Sequence, residues 1–286
     1  MTTITELPTK VIGMSNQAYR METEFDSRSF LHTVAKYGGE VQQWLDSGRV
    51  FWGGNSATSK GSEFDTIITE ILGGRLFKDV VVTPPDDVLG ANGSRSTKAY
   101  KEWAAEHQRD GTVITTEDQA QVYAYMLDGM QQNEACRSLM ERTVETQVSV
   151  FFEIDGHALK TRPDACCADL WWDLKTTSQP WDKLFFSAKD YGYYEQEWLY
   201  VESAKAIGMD HFRMPFVFVA TTPPYRTKVF HLPEALVEAA GRRMRNVMEE
   251  VRLRRSTGMY LPADANEIKE LVVPAWAQKE EEYVEV

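Results

Sequence analysis

The first sustained hydrophobic period in the chain is helical. Phe30, Val34, Tyr37 and Val41 follow Asp26-Ser27 and predict a capped helix over residues 29–44. Residues 1–25 before it show no period and read as an arm or irregular lead-in. The Gly/Ser/Asn-rich stretch 53–61 reads as a loop. A helix over 62–72 follows, ended by Gly73-Gly74. Val80-Val81-Val82 is strand-like and stops at Pro84-Pro85, and 92–96 is a polar loop. Helices are expected over 98–108 and from Thr116-Glu117-Asp118 to about residue 133, with 134–141 adding a turn or two.

At Glu145 the period changes from helical to extended. Residues 145–154 are rich in Val, Phe and Thr, and Asp155-Gly156 is a strong hairpin-turn signal. Segments 158–164 and 169–176 complete a three-stranded meander. An aromatic loop leads to a helix over 191–207, closed by Gly208. Strands over 212–220 and 227–232 flank Pro223-Pro224, and Pro233 at the first helical position opens a last helix to about residue 257. This order predicts an α/β fold: a mixed central β-sheet flanked by helices, with a helical N-terminal part. The expected division is an arm, 1–25, one domain, 26–258, and an acidic tail, 259–286. Within the domain, 26–142 is mainly helical and 143–258 forms the core.

Composition narrows the function classes. With 43% hydrophobic residues, 8 Trp, 12 Tyr and 13 Phe in 286 residues, the chain is globular and not disordered. Its net charge of −12 argues against coating nucleic acid by bulk positive charge, and leaves open a local basic channel. The charge is uneven: residues 225–255 hold eight Lys/Arg against four Glu, and residues 264–286 hold two Lys against seven acids. The basic stretch reads as a track for phosphates or as a solvated or subunit-facing helix. The tail reads as a docking segment, a deterrent to non-specific DNA binding, or a solubilising end. Three cysteines, Cys136, Cys166 and Cys167, form no CxxC pair, and five scattered His form no HxxxH pair, which disfavours a disulfide scaffold and a zinc site. No signal-peptide pattern and no apolar stretch near the roughly 20 residues of a membrane span occurs, so a soluble, cytoplasmic protein of a bacterial or phage-infected cell is expected.

The chemistry concentrates at Arg162-Pro163-Asp164 and, after eight intervening residues, Asp173-Leu174-Lys175. Pro85-Asp86 and Glu267-Ile268-Lys269 show how often such fragments recur, so placement decides. Asp164 ends one expected strand, and Asp173 and Lys175 share a face of the next by the two-residue period. Converging carboxylates repel unless a cation or proton lies between them. Mg²⁺ suits such oxygen ligands, with the Leu174 carbonyl as a further one. Lys175 beside it is suited to orient a water or to neutralise charge on a phosphate.

Asp164, Asp173 and Lys175 resemble the PD-(D/E)xK nuclease signature. Gln196-x-x-x-Tyr200 after it resembles the helix motif of the RecB-like branch, both residues sharing a helical face. Gly61-Ser62-Glu63-Phe64-Asp65 is similar to that branch's Gly-x-x-x-His motif, with Asp65 in place of His. Ser27-Arg28-Ser29-Phe30-Leu31 resembles the entry helix of RecE-type exonucleases. Thr97-Lys98, the Trp103 region and Val113-Ile114-Thr115 add to a patchy likeness over about residues 15 to 255. The resemblance implies a metal-dependent 5′→3′ exonuclease on double-stranded DNA ends, using Mg²⁺ with Mn²⁺ able to substitute. It implies generation of 3′ single strands for phage-type recombination, beside a single-strand annealing protein, and a ring-shaped homo-oligomer, trimer or tetramer.

In that reading Asp164, Asp173, the Leu174 carbonyl and Asp65 hold the metal. Gln196 and Tyr200 hold Lys175 and the substrate phosphate, and Glu145 is a supporting acid. Arg28, with Ser27, Ser29 and the helix N–H groups, grips a 5′-terminal phosphate, and Arg162 contacts phosphate or pairs with an acid. Each has an ordinary reading too: a surface hairpin with a salt bridge, packing residues on a helix, solvated Glu145, Asp65 and Arg28. One of Trp171 and Trp172 is expected in the core, the other as core or as a base-stacking platform. Cys166 and Cys167 are taken as structural. The alternatives at the level of function are an endonuclease or branched- or single-strand nuclease on the same core, and a non-catalytic DNA-binding or assembly module.

Overall fold

Helix caps fix much of the N-terminal half. The structure is a computed structural model that describes residues 4, 6–49, 56–209, 213–263, 265–268, 270 and 272, without the side chains of 56–58. Strand β1 (Thr9–Val11), helix α1 (Asn16–Met21) and strand β2 (Asp26–Ser27) lead into α2 (Arg28–Tyr37) and α3 (Gly39–Asp46). The lead-in is thus structured, because β1 pairs antiparallel with a core strand. Ser27 Oγ accepts from the Phe30 N–H at 3.3 Å and caps α2. The single helix expected over 29–44 is two, broken where Gly38 takes φ 81°.

Helix α4 (Ser56–Leu72) starts earlier than expected, so residues 56–61 of the expected loop are helical, while 53–55 lie outside the described residues. Short α5 (Phe77–Val80) feeds β3 (Val81–Val82), and α6 (Lys98–His107) precedes β4 (Val113–Ile114), which pairs parallel with β3. Thr116 Oγ1 caps α7 (Glu117–Gln132), and Asn133 Oδ1 caps α8 (Glu134–Arg142).

The meander follows as β5 (Thr143–Thr146), β6 (Ser149–Ile154), β7 (His157–Thr161), β8 (Ala165–Cys167) and β9 (Trp171–Thr177). Asp155 and Gly156, at φ 51° and 74°, make the expected tight turn between β6 and β7. Its first two strands bend. The chain leaves β5 for β6 at Gln147, and leaves β7 for β8 at 162–164. Each bend carries it from one sheet to another. One sheet has the order β1-β6-β7-β2; the other is β11-β10-β9-β8-β5.

After β9, 181–183 form a 3₁₀ turn and α9 (Leu184–Asp190) replaces the expected aromatic loop. Helix α10 (Tyr193–Ala206) then crosses to β10 (Phe216–Ala220), parallel to β9, and β11 (Thr227–Phe230) pairs antiparallel with β10. Pro233 is the cap of α11 (Glu234–Thr257), one position before that expected, and Gly258 at φ 69° ends it.

Strict alternation in the five-stranded sheet divides the core. Trp171, Phe216 and Phe218 face a cluster with Leu31 and Val34 of α2, Trp198 and Leu199 of α10 and Met244 of α11. Trp172, Leu174, Val217 and Val219 face Phe64, Ile67 and Ile68 of α4 and Tyr123, Met126 and Met130 of α7. Both tryptophans are therefore core, on opposite faces, at 2% and 0% exposure, and neither is a base-stacking platform. Truncating either to alanine should cost about 3–5 kcal/mol. Among the described residues no helix is long and apolar enough to cross a membrane.

Candidate active site

The alternation that buries Leu174 turns Asp173 and Lys175 to the opposite face, toward α10. There the Lys175 ammonium pairs with Asp173 Oδ2 and Gln196 Nε2 donates to Asp173 Oδ1. The ammonium also lies 5.2 Å from the Tyr193 ring centroid and 5.8 Å from that of Phe216. Burial alone would lower the Lys175 pKa, but the carboxylates of Asp173 and Asp164 outweigh it and hold the ammonium above its ordinary value.

Asp164 enters from the bend between β7 and β8. Its Oδ2 accepts from the Leu174 N–H at 2.9 Å, which pins it to the middle of β9. Asp65 enters from α4. Gly61, one helical turn earlier on the same face, lets that helix approach β9: a Cβ at Gly61 would lie 3.1 Å from Thr176 Oγ1. Burial, then the Asp173 charge, pushes Asp65 up to about 6. Burial and the charges of Asp173 and Asp65 hold Asp164 well above the usual carboxylate range. Both shifts come first from burial and then from repulsion among neighbouring carboxylates.

These side chains line a cleft of about 990 Å³, together with Leu174, Gln196, Tyr200, Arg28, Arg20 and Lys60. The expected acids, the lysine and the Gln-x-x-x-Tyr pair are therefore brought together. Tyr200 does not hold Lys175: its hydroxyl donates to the Arg162 carbonyl at 2.9 Å. Nor does Gln196 hold Lys175; it bonds Asp173.

Glu145 lies apart from the cleft lining and pairs with Lys10 at 2.5 Å. Arg162 is engaged by the chain itself: it donates to Gln147 Oε1 at 3.0 Å, Ser149 Oγ at 2.8 Å and the Met14 carbonyl at 2.7 Å. Arg28 faces the cleft and donates to the Tyr191 carbonyl at 2.9 Å. Ser27 serves as a helix cap, and Ser29 is exposed and outside the lining.

Sequence reasoning missed Gln147. It sits at the bend between β5 and β6 at φ 51°, a conformation that costs a non-glycine residue about 1–2 kcal/mol. It also missed the cleft cations Arg20 and Lys60 and the ring of Tyr193 against Lys175. Tyr193 was within reach, because it lies one helical turn before Gln196 on a helix already singled out. Arg20 and Lys60 come from segments with no motif of their own.

A divalent cation fits this donor set in its chemistry. Asp65, Asp164 and Asp173 supply hard oxygens from three elements in one cleft, and the repulsion among them favours a cation at their meeting point. As they stand, no three Asp, Glu, His or Cys side chains among the described residues are close enough to hold a metal. Lys175 and Gln196 each hold one Asp173 oxygen; the ammonium competes with a metal ion for that carboxylate, while the Gln196 bond leaves its oxygen a further lone pair.

Comparison with known proteins gives the family and the fold. The profile of the PDDEXK-like domain of unknown function DUF3799 matches residues 63–267, which takes in α4 from residue 63 on, with Asp65, and the whole meander. The crystal structure of a candidate exonuclease from Eubacterium rectale aligns over 94% of this chain and 98% of its own, with TM-score 0.55 and 13% identity. The alkaline exonuclease LHK-Exo of Laribacter hongkongensis aligns over 67% of this chain and 99% of its own, with 19% identity and TM-score 0.26. No curated protein sequence is significantly similar. A match over well more than half the chain, on a fold that gathers Asp65, Asp164, Asp173 and Lys175 in one cleft, settles the family: the chain belongs to the PDDEXK-like nuclease-fold family DUF3799.

Proposed function

We propose that this nuclease is a Mg²⁺-dependent DNA exonuclease that digests linear double-stranded DNA 5′→3′ and leaves 3′ single strands for recombination. The observation that carries the reading is the intact acid–acid–lysine set in a cleft that also presents Arg20, Arg28 and Lys60. A binding module that had lost catalysis would have no reason to retain three mutually repelling carboxylates beside a lysine.

Asp164, Asp173 and Asp65 would hold Mg²⁺ or Mn²⁺, with the Leu174 carbonyl as a further ligand. When bound, the ion supplies Lewis acidity to a phosphoryl oxygen and lowers the pKa of a water. Lys175, freed from Asp173, orients the attacking water or neutralises charge on the phosphate as it develops. Gln196 keeps Asp173 turned into the cleft, and Tyr200 ties α10 to the chain at Arg162. Arg28 at the start of α2 would take the 5′-terminal phosphate, with Arg20 and Lys60 along the strand. In-line attack then releases mononucleotides. The implied setting is a phage or bacterial cytoplasm beside a single-strand annealing protein, with a ring-shaped trimer or tetramer threading the duplex.

Digestion of linear duplex labelled at the 5′ or the 3′ end, with Mg²⁺, tests the reading. Early release of the 5′ label, no release with chelator, and an intact covalently closed circle are expected. Cleavage of the circle would make the enzyme an endonuclease. Full activity of Asp173→Ala would sink the site.

A further inference from the structure

Gln147 stands at the point where the first strand of the meander passes from one sheet to the other. Its backbone N–H donates to the Asp164 carbonyl at 3.0 Å, which ties the two bends of the meander together. Its side chain does more. The Nε2 group donates to Asp65 Oδ2 at 3.4 Å and to Asp164 Oδ1 at 3.3 Å. The Oε1 atom accepts from Arg162 Nε at 3.0 Å.

This amide can face only one way. Reversed, its oxygen would meet two carboxylates and its NH₂ would meet a guanidinium that offers hydrogens alone. Arg162 is fixed in turn by Ser149 Oγ and the Met14 carbonyl. A continuous relay therefore runs from backbone and β6 through Arg162 and Gln147 to two carboxylates on separate elements. Among the described residues, no other side chain is seen to bond both Asp65 and Asp164.

We infer that Gln147 is a positioning residue that aims Asp65 and Asp164 at a common point and thereby sets the affinity of the site for a divalent cation. This rests on the metal-dependent reading above. A neutral amide suits the task because it spaces two carboxylates without filling the site with charge. Its two bonds to them use one lone pair of each carboxylate, so the amide stays in place while the remaining lone pairs are free for a cation. Partners that orient metal ligands in this way typically govern affinity by about 10–100-fold.

Calorimetric titration with Mn²⁺ and with Mg²⁺, without DNA, tests the inference on wild type, Gln147→Met and Gln147→Glu. Metal-free thermal unfolding of each protein accompanies it. Gln147→Met keeps the length and removes both polar atoms, so its dissociation constant should rise by about 10–100-fold. In cleavage assays it should need correspondingly more metal yet recover most of the wild-type rate at saturation. Gln147→Glu keeps an oxygen for Arg162 but turns a charged oxygen, in place of the donor, toward both carboxylates, so with their aim lost it should bind the ion more weakly than wild type despite the added charge. A folded Gln147→Met protein with wild-type metal affinity overturns the inference. If Gln147→Met does not fold, binding by Gln147→Glu as tight as or tighter than wild type overturns it. A wild type that binds and cleaves while the variants do not differ from it refutes the role of Gln147 alone. A wild type that binds neither ion removes the metal-dependent reading as well.

Discussion

Lys175 is paired with Asp173, and that pairing separates its two effects on the enzyme. Replacing it with Met removes the group that steadies charge on the phosphate, so cleavage should fall by about 10²–10³-fold. The same change frees an Asp173 oxygen and removes a competing cation. Divalent-metal affinity should then equal or exceed that of wild type, as titration calorimetry will show; weaker binding would contradict the reading. The carboxylates carry a second expectation. Asp65 is pushed up to about 6 from an ordinary 3.8 by burial and then by Asp173. Between those values the folded chain keeps a proton that the unfolded chain has released, so metal-free stability falls as pH rises through that window. Asp65→Asn has no such proton to lose. Urea midpoints in chelator at about pH 4.5 and about pH 7 should show the variant gaining on wild type with rising pH, and a constant gap would contradict it. At this scale the sequence was legible wherever a spacing rule applied: Asp173 with Lys175 by the strand period, Gln196 with Tyr200 by the helix turn. Gln147 was not legible. Its role comes from a bend at φ 51° and from partners distant in sequence, neither of which leaves a local pattern.

The same contrast holds for elements. Helices with side-chain caps, such as α2, α7 and α8, lie close to where the sequence places them, because the cap residue is itself the signal. The break at Gly38 and the two strand bends were missed, since each element keeps its period on both sides of the interruption. Helix α10 shows the limit most clearly. All eight residues from Tyr193 to Tyr200 are buried, including Glu195, Gln196 and Glu197, so packing on several sides erases the amphipathic signature. Gly61 shows why a motif needs its spacing. It is the close contact of α4 with β9, and Asp65 reaches the cleft from that helix. A Gly61→Val side chain would press on Thr176 and push α4 off the strand, carrying Asp65 with it. Metal affinity should drop by about tenfold or more. Overpacking adds about 1–3 kcal/mol of destabilisation. Calorimetric titration and thermal unfolding would check the two effects separately, and a variant with unchanged metal affinity would show that Asp65 is not placed by this contact.

At the scale of the whole molecule the question raised by the proposed function is how a chain of net charge −12 would hold a polyanion. The basic stretch of α11 looked like one answer, and the structure spends most of it internally. Arg243 pairs with Glu195, Arg245 with Asp155 and Glu202, Arg254 with Glu250, and Arg255 with Asp26 and Asp46, while Arg252 donates to the Asp155 carbonyl. These arginines anchor the last helix to α10, to the four-stranded sheet and to α3. In the cleft, Arg20, Arg28 and Lys60 are placed to meet phosphates. The acidic exterior repels DNA at long range, but at physiological salt that repulsion is screened beyond about 8 Å. Binding is then local and made by few charges. Three phosphate contacts predict a slope of log affinity against log salt of about −3 for duplex DNA, far shallower than for a protein that tracks the backbone with a basic helix. Fluorescence anisotropy of labelled duplex with Asp173→Asn protein in chelator, between about 50 and about 200 mM salt, measures it. A slope near −3 that flattens by about one on Arg28→Ala would place the contacts in the cleft. A slope steeper than about −6 would mean that the arginines of α11 release their internal partners to meet DNA, and the anchoring role assigned to them here would be wrong.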